Sequence, residues 1–179
     1  MGQFTNISGY GLPLLLSFLL GSNVAVAQSC KPAMTKSTPD SRYIISEDGS
    51  EAYDKNTGLI WSRCSFGEKW DGQGCAGNAQ ILSWDQANEE AQKMGNGYRL
   101  PWSTELMSLT DKACSYPSVN PRIFPQTPKS DVIFWSADKT RKPPFYARGV
   151  HLNSASLARP YDVMLGFYLL AVRDGSLEK

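Results

Sequence analysis

Four cysteines, one histidine and a basic, tyrosine-bearing stretch in the C-terminal third are the side chains of this 179-residue chain that could do chemistry. Cys30, Cys64, Cys75 and Cys114 contain no Cys-x-x-Cys pair, and with one histidine to help them they do not make a zinc site. An even number of cysteines behind an export leader reads instead as two disulfides, for which three pairings exist. Cys64 and Cys75 flank the glycine-rich stretch SFGEKWDGQG, which reads as a surface loop closed at its base. Cys30 is then left for Cys114, a bond that pins the N-terminal segment to the domain. Closing a loop of about ten residues contributes about 2–3 kcal/mol, mainly by restricting the unfolded chain.

Catalysis by a Ser/His/Asp or Cys/His site would have to use His151, which lies in Val150-His151-Leu152 on a stretch of alternating character. A lone strand histidine reads as structural or merely exposed, so no enzyme and no catalytic residues are expected. Calcium-dependent sugar binding needs clustered carboxylate and amide oxygens, as in Glu-Pro-Asn and Trp-Asn-Asp triplets. Neither triplet occurs, and the nearest oxygen-rich segment, Asp71-Gly72-Gln73-Gly74, reads as a turn. No metal and no cofactor are expected.

Lys+Arg (18) and Asp+Glu (17) nearly cancel, so electrostatic recognition has to come from a local patch. Lys139-Thr140-Arg141-Lys142-Pro143-Pro144 is such a patch, a basic loop expected between two strands. Arg148 and Arg159 follow it, with no acid nearby until Asp162. Their cationic groups suit sulfate or phosphate through charge-assisted hydrogen bonds. Tyr146 and Tyr161 could offer stacking faces to sugar rings. The expected binding residues are therefore Lys139, Arg141, Lys142, Tyr146, Arg148, Arg159 and Tyr161, set against the plainer reading of a solvated loop. DNA would suit the same charges, but an exported chain of near-zero net charge is not expected to bind nucleic acid.

The elements that must position these groups are short. Residues 28–41 are polar and proline-containing and read as a tail. Strand-like runs follow at 42–45, 51–54 and 59–61, and Asp54-Lys55-Asn56-Thr57-Gly58 supplies hairpin-turn chemistry between the last two. Ser83 and Gln86 form a capping box that opens a helix, with Trp84, Ala87, Ala91 and Met94 on one face and Gly95 and Gly97 at its end. A second helix is predicted over 104–113, capped by Ser103, with Leu106, Leu109 and Ala113 inward. Further strands are predicted at 132–136, 145–152 and 167–173. Trp61, Trp84 and Trp135 read as core. Helices in the middle and strands at both ends indicate an α+β fold: two helices on small antiparallel sheets, with the termini brought close together.

Several of these pieces stand in a particular order: Asp54-x-x-Thr57-Gly58-Leu59-x-Trp61, Trp84-x-x-Ala87, Tyr98-Arg99-Leu100-Pro101 with Glu105-Leu106, Phe124-Pro125, Phe134-Trp135-Ser136, and Leu170-Ala171-Val172-Arg173. The set resembles the Lcl C-terminal domain family, named after a bacterial collagen-like adhesin, over about residues 42–175. The resemblance implies a fold similar to C-type lectins and formylglycine-generating enzymes. In the adhesin the domain binds sulfated glycosaminoglycans and forms trimers. This sequence has no Gly-X-Y repeat to hold such a trimer, and fold does not carry function with it. A redox cysteine of the formylglycine-generating kind would need free thiols near the C-terminus, whereas the last cysteine is Cys114. Arg99 and Arg173 stand in family motifs beside apolar residues, where each would need a carboxylate such as Glu105 or Asp54. The expected partner is an anionic glycan at the bacterial envelope or exterior. The alternative is a periplasmic accessory or inhibitor protein that binds another protein, for instance in a secretion or pilus apparatus.

Residues 12–20, LPLLLSFLL, are too short an apolar run to span a bilayer but fit a signal-peptide core. Ala25-Val26-Ala27 suits cleavage before Gln28, although no Lys or Arg precedes the run. Ala27-Gln28-Ser29 lacks the large aliphatic residue that lipidation of Cys30 would need. The expected organisation is a signal peptide over 1–27, a polar tail over 28–41, the domain over 42–175 and a tail over 176–179. The mature chain, with no membrane span, is expected in the periplasm or outside the cell. Its intact mass should correspond to a chain beginning at Gln28; a mass that retains residues 1–27 would overturn this reading.

Overall fold

The computed structural model describes residues 1–2, 28–125 and 132–177, so the expected signal-peptide core and cleavage motif lie outside the described residues. The first half holds β1 (Ser29–Cys30), β2 (Tyr43–Ile45), β3 (Glu51–Asp54), β4 (Leu59–Ser62), β5 (Glu68–Trp70), β6 (Cys75–Gly77) and helix α1 (Trp84–Lys93). Helix α2 (Ser103–Ser108), β7 (Cys114–Ser115), β8 (Ile133–Lys139), β9 (Tyr146–His151), β10 (Ser156–Asp162) and β11 (Val172–Asp174) follow. The fold is α+β, with two helices, small antiparallel sheets and two disulfides, as the sequence leads one to expect.

The Asp54 turn organises the first hairpin. Its carboxylate accepts from the Asn56 N–H at 3.0 Å and the Thr57 hydroxyl at 2.9 Å. Gly58 takes φ +72°, a conformation that costs a residue without Cβ least. β3 and β4 then pair with Asp54 opposite Leu59. β2 and β11 join at the two edges, so the sheet runs β11-β4-β3-β2 and brings the last strand beside the first hairpin.

The same carboxylate is fully buried and meets the buried Arg42. Arg42 Nε donates to Asp54 Oδ1 at 2.7 Å, and Nη2 reaches Oδ2 as the second arm of the pair. Arg42 Nη1 also donates to the Ser108 carbonyl at 3.0 Å, which ties the sheet to the end of α2. Burial pushes the Asp54 carboxyl up, but Arg42 and the turn donors outweigh it and hold the group below the usual carboxylate range.

α1 begins as expected: Ser83 N–H donates to Gln86 Oε1 at 2.9 Å and the Ser83 hydroxyl accepts from Gln86 N–H. Ala87 and Ala91 face the core, while Met94 is partly exposed. α2 is shorter than predicted and its N-cap is Trp102, not Ser103. The chain turns after Ser108 because Asp111 N–H binds the Ser118 carbonyl, and the Asp111 carboxylate accepts from Thr38 and Ala113 N–H groups. Leu109 and Ala113 stay buried outside the helix.

β8, β9 and β10 form a second antiparallel sheet with β9 central. β10 is not among the predicted strands; it lies at the edge of the sheet, where Pro160 is tolerated. The predicted strand at 167–173 is regular only from Val172. Before that, its backbone bonds go to different elements: Phe167 to Leu82, Tyr168 to Ile133 and Trp135, Leu169 to Phe66, Ala171 to Ser62. Leu169, Leu170 and Ala171 are buried between the two sheets, which satisfies their apolar side chains without a continuous ladder. Trp61 and Trp135 are core, as expected, and Trp84 is half-buried.

Cys30–Cys114 and Cys64–Cys75 are the two disulfides. Segment 28–41, expected as a tail, lies along the domain. Besides its disulfide, β1 pairs with β7, Gln28 Nε2 donates to the carbonyls of Pro117 and Val119 at 2.9 and 3.0 Å, and Thr38 is buried against Asp111. The Cys64–Cys75 segment is closed at its base as expected, and within it β5 and β6 pair as a short hairpin.

Removing one partner of a buried ion pair strands the other, at about 3–5 kcal/mol. Asp54→Ala should lower stability in urea by that much at neutral pH. Because folded Asp54 binds its proton less tightly than the unfolded chain, its contribution is complete above the ordinary aspartate range near pH ~4 and is lost as pH falls through the lower folded value. Urea midpoints measured downward from neutral pH should therefore fall more steeply in the wild type than in the variant.

Candidate functional site

Strand alternation decides which basic and aromatic side chains meet. β9 and β10 pair with Arg148 opposite Pro160, Ala147 opposite Tyr161 and Gly149 opposite Arg159, and successive side chains point to opposite faces. Tyr146, Arg148 and Pro160 share one face; Arg159 and Tyr161 share the other. On the first face, the loop after β8 and the start of α2 close a groove of about 350 Å³ whose lining includes Trp102, Arg141, Tyr146 and Arg148. Trp102 is 49% exposed and Tyr146 39%, so both rings are open to a ligand.

The free N–H groups at the start of α2 hold Trp102 in place. Its own N–H donates to Glu105 Oε2 at 2.7 Å, and Glu105 receives Arg99 through two contacts of 2.8 Å. The next N–H, that of Ser103, goes to Asp138 Oδ2 at 2.6 Å, and the same oxygen accepts the Ser136 hydroxyl at 2.9 Å. Burial pushes the Asp138 carboxyl up, but the Ser103 and Ser136 bonds and the charge of Arg148 outweigh it, leaving it below the usual carboxylate range. The basic loop is closed by Thr140, whose N–H donates to the Tyr146 carbonyl at 2.8 Å and whose hydroxyl accepts the Tyr146 N–H at 2.9 Å.

The expected residues divide accordingly. Arg141, Tyr146 and Arg148 come together in the groove. Lys139 also lines it, but its ammonium is 2.7 Å from Asp85 Oδ1 and 4.1 Å from the Trp84 ring centroid, so it fastens β8 to α1. Lys142 is exposed on the loop outside the groove lining. Arg159 is exposed on the opposite face, and Tyr161 there packs edge-on against Phe167, with its hydroxyl 3.2 Å from His151 Nε2. Trp102 was missed; the readable signal was a tryptophan after Pro101 that fits the apolar face of neither helix. Arg99 has the expected partner, Glu105. Arg173 pairs with Glu51 at 2.7 and 3.0 Å, not with Asp54, which Arg42 already occupies.

These features define a disulfide-bridged α+β domain with an open groove of cationic and aromatic side chains. Residues 50–173 match the family model of the Lcl C-terminal domain, and the chain belongs to that family. No curated protein matches the chain. The family points to an extracellular or envelope-associated domain, and two disulfides fit such a setting. Among the described residues no helix is long and apolar enough to cross a membrane.

Asp138→Ala would leave the Ser103 N–H and the Ser136 hydroxyl without their acceptor, at about 1–3 kcal/mol. Thermal unfolding should show that loss at neutral pH. A variant as stable as the wild type would remove Asp138 from the groove's supports.

Proposed function

We propose that this domain is a binding module for anionic glycans and that the groove beside α2 is its site. The observation that carries the proposal is the convergence of Arg141 and Arg148 with the exposed rings of Trp102 and Tyr146. Guanidinium groups match the geometry of sulfate and carboxylate oxygens, and an exposed aromatic face gives a sugar ring an apolar surface to lie on. The reading is of binding rather than catalysis, and what supports it is that all four cysteines are in disulfides and that His151 lies on the face opposite the groove, beside Tyr161. A site of this kind works at a surface exposed to glycans, in keeping with export from the cell.

A second reading, recognition of an envelope protein, draws on a separate observation. Ile81, Met164 and Leu165 are 62%, 78% and 47% exposed, and Ile81 lies against the turn that carries the other two.

Retention of mature protein on heparin, followed across a salt series, separates the two. Wild type should be retained at low salt and released progressively as salt rises. Arg141→Glu with Arg148→Glu should abolish retention, Trp102→Ala should weaken it severalfold, and Met164→Lys should leave it unchanged. No retention of the wild type at low salt would overturn the glycan reading and favour the protein partner.

A further inference from the structure

A cavity of about 690 Å³ opens elsewhere on the molecule, between the β5–β6 hairpin, the ends of β3 and β4 and the C-terminal end of α1. Phe66, Trp70, Met94 and Tyr98 form its apolar walls, and it shares no lining residue with the basic groove. The hairpin that carries Phe66, the Trp70 ring and the Tyr98 ring are each braced. The Cys64–Cys75 bond closes the hairpin. Gly67, at φ +93°, sits so close to the facing chain that a Cβ there would fall 2.5 Å from the Asn78 carbonyl oxygen. The Trp70 indole lies against Gly49, where a Cβ would fall 2.4 Å from its Nε1, and the Arg63 guanidinium covers the ring at 3.9 Å. The Tyr98 hydroxyl donates to Glu51 at 2.6 Å, and Glu51 is in turn held by Arg173. Walls already fixed before binding lose little freedom when a guest enters.

Charge selects the guest. Arg173 already neutralises Glu51, and the Arg63 guanidinium against the Trp70 ring is a like charge that disfavours a cation there. Glu68 and Lys69, adjacent on the hairpin, carry opposite signs. An ionic guest would lose hydration here without an unmatched counter-charge at Glu51 or Trp70, whereas an uncharged ring gains from apolar burial. Size agrees: pockets for small molecules hold roughly 300–1,000 Å³. Among the described residues, Met94 is the one exposed large apolar side chain that lines the cavity. Its apolar surface is therefore recessed, whereas a protein interface spreads about 800 Å² over each partner.

We propose that this cavity is a second binding site, for an uncharged, largely apolar small molecule that bears a ring. Titration with the neutral fluorescent probe N-phenyl-1-naphthylamine tests it. The full-length mature protein should give a saturable fluorescence increase that neither heparin nor added salt displaces. Met94 caps α1 and is 37% exposed, so Met94→Lys keeps the fold and places a charge at the mouth. It should weaken binding about tenfold. Phe66→Ala, which removes a wall, should weaken it as well, and Met164→Lys should not. The absence of a saturable increase, its persistence in both cavity variants, or its loss in Met164→Lys would each overturn the proposal.

Discussion

The buried pair of Arg42 with Asp54 is the constraint on which the rest of the arrangement depends. Asp54 is entirely inaccessible, and a carboxylate in that position remains charged because Arg42 and the turn donors meet its oxygens. The pair closes the β2–β3–β4 region, and the remaining Arg42 nitrogen reaches the Ser108 carbonyl at the end of α2. The other end of α2 is held by Glu105 and Asp138. Trp102, at that end, is thus placed in the groove by a helix whose far end is anchored to the sheet. Arg42 precedes the span matched to the family and Asp54 lies within it, so the segment before that span supplies half of the anchoring pair.

A formal charge of +1 hides two different populations of arginine. Arg42, Arg99 and Arg173 are spent on carboxylates inside or at the margin of the core. Arg63 is buried and donates to the carbonyls of Ile123, Gly49 and Arg122 at 2.7–2.9 Å, and burial lowers its hold on its proton. Arg141 and Arg148 are exposed. Net charge therefore says little about this surface; what counts is which cations reach it.

The parts legible in the sequence were those fixed by local chemistry. Asp54-x-x-Thr57-Gly58 announced its hairpin, Ser83 and Gln86 their capping box, and the spacing of Cys64 and Cys75 their closed loop. The parts that escaped depended on partners distant in the chain. α2 ends early because Asp111 answers to Thr38 and Ser118, and residues 167–171 bond to four separate elements instead of one neighbouring strand. Lys139 looked like a loop cation until Asp85 was found beside it. Tyr146 and Tyr161 looked alike until the β9–β10 register put them on opposite faces. The groove was half legible, because residue types can be read locally and strand faces cannot.

The two disulfides are nested: the Cys64–Cys75 bond, spanning 11 positions, lies wholly within the 84 spanned by Cys30–Cys114. A chain emerging N-terminus first presents Cys30 and Cys64 before either has its native partner. An oxidant that joins thiols in order of arrival would link those two, a bond the fold does not use. From such a bond the nested pattern is reached by exchange: the Cys75 thiolate attacks the Cys64 sulfur and releases the Cys30 thiolate, which is then free to be oxidised with Cys114.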